Sequence, residues 1–80
     1  MVEEHVINIL NLVLEREMKV EELQGVDLIE EYCINSLDAL RIIIEIEKRC
    51  NVIIDAEEKI IEAFHSFEAL CSYVKECKED

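Results

Sequence analysis

Eighty residues, half of them hydrophobic, make one small domain with apolar material for a single core. The absence of proline, the single glycine and the long stretches rich in Glu, Leu and Ile exclude a turn-rich β fold and favour an all-α chain. A formal net charge of −12 argues against nucleic acid as a partner, because phosphate contacts need a basic face.

No apolar stretch approaches a membrane span, so no membrane insertion is expected. The start, Met1-Val2-Glu3-Glu4, has no basic segment followed by an apolar run, so no signal peptide is expected and the cytoplasm is the expected location. There, Cys33, Cys50, Cys71 and Cys77 stay reduced, and most of them fall on apolar helical faces as small hydrophobes. A zinc site from Cys71, Cys77, His5 and His65 is disfavoured, since no Cys pair has the short spacing of a zinc knuckle.

In chain order, a first helix is predicted from about Glu3 to Arg16, with Val6, Ile9, Leu10 and Val13 at core spacing and Ile7 and Leu14 widening the stripe. Residues 18–35 form a long connection that contains Gly25 and must be pinned by Val20, Leu23, Val26, Leu28 and Ile29. Asp27 to Glu31 can form a helical turn.

A polar connection then becomes an apolar-periodic helix at Asn35 and Ser36, and both side chains suit capping. Only one can occupy the N-cap. If Asn35 does, Ser36 falls at the first helical position with its hydroxyl facing solvent. A phosphodiester made there would lie at the positive end of the helix dipole. A serine at a helix start is far more often a cap than a modified residue, so the surrounding pattern has to decide.

From Leu37 onward, Asp38, Arg41, Glu45, Lys48 and Arg49 fall within one arc of about 100° at helical spacing, and almost everything else is apolar. That leaves more apolar surface than one neighbouring helix can bury. Ile42-Ile43-Ile44 and Val52-Ile53-Ile54 also have β-propensity, but strand alternation would bury Glu45 or Glu47, whereas a helix collects nearly all charges on one side. Glu47 is the exception, expected to lean out to water near the helix end. A short third helix is predicted over Asp55 to Glu62. Ser66 then caps a last helix with the face Phe67, Leu70, Cys71 and Val74, Tyr73 at its edge, Lys75 and Lys78 near its C-terminus and a frayed tail after Cys77.

The triplet Asn35-Ser36-Leu37, followed by Asp38-Ala39-Leu40, resembles the modified-serine motif of the acyl carrier and peptidyl carrier protein family. The resemblance covers nearly the whole chain, through Glu45-Ile46-Glu47-Lys48-Arg49-Cys50-Asn51-Val52 and the closing Ala63-Phe64-His65-Ser66-Phe67-Glu68-Ala69-Leu70 with Tyr73-Val74. It implies a small antiparallel helical bundle of three long helices plus one short helix, acting as a stand-alone monomeric carrier. Ser36 would be the attachment point of a covalent 4'-phosphopantetheine arm, flanked by Asn35 and Leu37. Its partners would be a phosphopantetheinyl transferase, an acyl- or aminoacyl-loading ligase and downstream pathway enzymes, with Asp38, Arg41, Ile42, Glu45 and Ile46 as docking residues. Two positions depart from the family: Asn35 stands where aspartate is usual, which keeps a capping acceptor and removes a charge, and Ile54 stands where proline is common.

Charge refines this expectation. Residues 1–35 sum to −7, residues 36–50 to zero and residues 51–80 to −5. Carriers of fatty acid synthesis resemble one another in presenting an acidic second helix, so a neutral one implies a dedicated partner set in a specialised pathway. The alternatives are a carrier of fatty acid or lipid synthesis, and a helical interaction or regulatory protein that is never modified. An enzyme is disfavoured, because the chain lacks a Ser-His-acid constellation, a phosphate-cradling glycine loop and a metal pair.

Overall fold

A computed structural model describes residues 2–54 and 57–79. The chain forms α1 (Val2–Leu14), a 3-10 turn (Val20–Leu23), α2 (Leu28–Tyr32), α3 (Ser36–Cys50), α4 (Glu57–Ala63) and α5 (Phe67–Glu79). It is a small all-α bundle, and among the described residues there is no strand. Three helices are long, as anticipated, but two are short: the turn foreseen at Asp27 to Glu31 is a helix in its own right, α2.

Local chemistry sets the ends. The first helix stops at Leu14, short of the expected Arg16, because Glu15 turns left-handed at φ 56°. Asn11 then clamps the exit: its Oδ1 accepts from Met18 N at 2.8 Å and its Nδ2 donates to Met18 O at 3.1 Å. The third helix ends where Asn51 adopts the left-handed conformation and donates its N–H to Glu47 O, a common helix stop. Glu47 does more than lean to water, since its Oε2 accepts from Ile54 N at 3.0 Å and pins the start of the link to α4. The fourth helix is Glu57–Ala63; the expected start at Asp55 lies outside the described residues. Ser66 caps α5 as foreseen, with Oγ accepting from Ala69 N at 3.2 Å, but the helix continues past Cys77 to Glu79.

The core lies where α1 packs against α3, with α5 closing over both and α4 resting on α5. Val6, Ile9 and Leu10 from α1, Ile42 and Ile46 from α3, and Leu70 and Val74 from α5 are fully enclosed, together with Leu23, Leu28, Ile60 and Phe64 from the shorter segments. Among the described residues no charged or polar residue is buried, so the core side chains meet through apolar packing.

Candidate functional site at the start of the third helix

The two candidate caps at the head of α3 divide their roles. Asn35 takes the N-cap: its backbone is extended and its Oδ1 accepts from Asp38 N at 2.8 Å. Ser36 is therefore the first helical residue, exposed, and among the described residues its hydroxyl has no hydrogen-bond partner. Asp38 N and Ala39 N are engaged by Asn35, the latter at 2.9 Å through the Asn35 carbonyl. The amides of Ser36 and Leu37 are the donors that an α-helix start leaves without an intrahelical acceptor.

Ser36 stands at the edge of an apolar cleft of about 330 Å³. Its floor is Ala39, Leu40 and Ile43 of α3, one wall is Ile29 of α2 with Ile34, and the other wall is Ile61 of α4 with Phe64 just after it. The volume lies at the lower end of the range for small-molecule sites, and among the described residues the only polar side chains on its rim are Asn35 and Ser36.

Asp27 joins the two walls. One carboxylate oxygen caps α2, accepting from Ile29 N at 3.0 Å and Glu30 N at 3.2 Å, and the other lies 2.8 Å from His65 Nδ1 in the turn after α4. The hydrogen bond from His65 holds the Asp27 carboxyl below its ordinary value, partial desolvation opposes this, and the amides of Glu30 and Ile29 add to the lowering. His65 is exposed, but it is tied rather than loose.

The sequence-derived docking residues separate into two sets. Asp38, Arg41 and Glu45 line a larger, charged groove of about 540 Å³ on the far side of α3, shared with Leu12, Val13 and Glu15 of the α1 end and Ile44. Glu45 also holds Arg49 at 3.1 Å, one helical turn on. Ile42 and Ile46 do not belong to any surface: both are 0 % exposed, because they face α1 and α5 across the core, so neither can meet a docking enzyme. The exposed apolar residues of α3 are Leu37 at 58 %, Leu40 at 49 % and Ile44 at 41 %, which share one stripe at i, i+3 and i+7.

Sequence reasoning missed the cleft walls, Ile29, Ile34, Ile61 and Phe64, which come from two stretches distant in the chain. Of the adjacent Ile60 and Ile61, Ile60 is buried and Ile61 is exposed at the cleft. Among the described residues no three His, Cys, Asp or Glu side chains converge as metal ligands, and no helix is long and apolar enough to cross a membrane. Comparison with known proteins finds no matching family model, curated protein or solved structure. The class defined by fold and site is thus a small all-α bundle with an exposed serine at the mouth of an apolar cleft.

Proposed function

We propose that this chain is a stand-alone acyl or peptidyl carrier whose Ser36 receives a 4'-phosphopantetheine arm and presents thioester-bound intermediates to partner enzymes. The observation that carries the reading is the division of labour between Asn35 and Ser36: one residue caps α3, and the other is left with an exposed, unpartnered hydroxyl beside an apolar cleft. In loading, a phosphopantetheinyl transferase makes Ser36 Oγ attack the pantetheine-bearing phosphorus of coenzyme A. The P–O ester to serine forms, the pyrophosphate bond breaks, adenosine 3',5'-bisphosphate leaves and the hydroxyl proton passes to a base of the transferase. The carrier makes no bonds itself; it positions the arm and selects partners.

The charge distribution supports a dedicated partner set in a specialised pathway. Asp38, Arg41 and Glu45 alternate in sign along the exposed face of α3, so a partner patch of one sign gains little on this helix. The exposed stripe of Leu37, Leu40 and Ile44 also favours a second reading, a protein-binding bundle that is never modified. Intact-mass measurement separates the two. Coexpression with a permissive transferase is expected to add the mass of one phosphopantetheine, with no gain in Ser36→Ala. A chain that stays unmodified with every transferase offered leaves only the second reading.

A further inference from the structure

The five-residue helix α2 is too short to hold itself, and it hangs between two polar ties. At its start is the Asp27 carboxylate, with one oxygen on the helix amides and the other 2.8 Å from His65 Nδ1. At its end the Arg16 guanidinium lies 5.2 Å from the centre of the Tyr32 ring. Between the ties, Leu28 enters the core and Ile29 lines the cleft beside Ser36. His65 directly follows Phe64, which lines the opposite wall. One carboxylate thus links the two walls through residues 38 apart in the chain.

We propose that the Asp27–His65 pair gauges this cleft. Closed, it fixes the gap between the α2 wall and the α4 wall and limits the length of apolar chain that enters; open, it frees the start of α2 and admits a longer one. The inference rests on the carrier reading given above, takes the apolar lining of the cleft to receive the apolar part of the cargo, and names the residues that set its size. Asp27 and His65 act through the walls and are positioning residues. Both side chains reach solvent, so the tie is weak enough to open without unfolding the bundle, which is what a gauge requires. Leu28 stays anchored in the core, so the motion is a swing of one wall about a fixed point.

The experiment uses the unmodified chain and a series of neutral n-alkanols from hexanol to dodecanol, with affinity read from the methyl shifts of Ile29 and Ile61. Affinity is expected to rise with chain length and then level off. In His65→Ala, and in Asp27→Ser, which keeps an N-cap oxygen but cannot reach His65, the plateau is expected to move to an alcohol at least two carbons longer. An alcohol two carbons past the parent plateau then binds roughly 16-fold tighter than to the parent chain, since each buried methylene multiplies affinity roughly fourfold. His65→Gln retains a side-chain N–H donor and keeps the parent plateau. Lys75→Ala removes a comparably exposed pair, Lys75–Glu3 at 3.3 Å, from a face that does not line the cleft, and also keeps it. An unmoved plateau in both release variants overturns the proposal, as does an equal move in Lys75→Ala or no alcohol binding in any variant. Arm loading on Ser36 is read separately by mass, so failure of the gauge and failure of the carrier reading are distinct results.

Discussion

Asn35 shows how much rests on a single side chain at a helix start, because its amide oxygen both seals the Asp38 N–H and leaves Ser36 uncommitted. Asn35→Ala is expected to cost about 1 kcal/mol in urea denaturation. Asn35→Asp keeps the acceptor, adds negative charge at the positive helix end and is expected to match or exceed the parent by about 0.3–1 kcal/mol at low salt; a neutral alanine variant would refute the cap. The cysteines differ by burial in the same residue-by-residue way. Burial pushes the Cys71 thiol up to about 12 and raises that of Cys50, whereas Cys33 is exposed at the end of α2. Iodoacetamide at mildly alkaline pH should therefore label Cys33 in the folded protein and reach Cys50 and Cys71 only in denaturant, as counted by peptide mass. Asp27 gives a pH dependence of definite sign. Its folded pKa lies below the ordinary 3.8, so its contribution is complete above that value and is lost as pH falls through the folded value. The difference in unfolding temperature between the parent and Asp27→Asn is expected to shrink as pH falls below about 4. A difference that grows on acidification would reverse the assignment.

At the scale of elements, the long helices were legible because period 3.6 is written in their apolar residues and their charges collect on one arc. The orientation of α3 was less legible. Apolar residues occupy most of its girth, so periodicity alone could not say whether Ile42 and Ile46 or Leu40 and Ile44 face inward, and packing against α1 and α5 decided it. Local rules offered the cap to Asn35 or Ser36 without choosing, and the hydrogen bond from Asp38 N to Asn35 decides it and leaves Ser36 exposed. The cleft and the Asp27–His65 tie lay beyond local rules, because they join α2, α3 and the turn after α4, and no local pattern encodes a pairing of residues 27 and 65. The two faces of α3 make a direct comparison. Ile46→Ala removes a fully enclosed side chain and is expected to cost about 2–5 kcal/mol, a large share of the roughly 5–15 kcal/mol typical of a domain. Leu40→Ala, half exposed, is expected to cost less than about 1 kcal/mol while weakening alcohol binding in the cleft. Equal losses of stability would mean that the inward face of α3 is misassigned.

The whole molecule carries twenty acids against eight bases within extents of 30 × 25 × 20 Å. Most of its charges therefore lie within a few Debye lengths of one another at physiological salt and within one such length in dilute buffer. Among the described residues only three ion pairs offset this, Arg49–Glu45, His65–Asp27 and Lys75–Glu3, each with side chains open to solvent. Self-repulsion of the excess negative charge should then outweigh the exposed pairs, which individually contribute little. Both respond to salt, but in opposite directions: screening relieves the repulsion of the compact state and weakens the pairs. If repulsion dominates, raising sodium chloride from about 0.01 to about 0.3 M, which shortens the Debye length from about 30 Å to well under 10 Å, should raise the unfolding temperature. A gain of about 1 kcal/mol corresponds to about 4–8 °C for a domain of this size. Calorimetry at fixed pH reads the sign directly. A fall in unfolding temperature would mean that the ion pairs, including the one that joins the walls of the cleft, hold the bundle more strongly than its apolar interior implies.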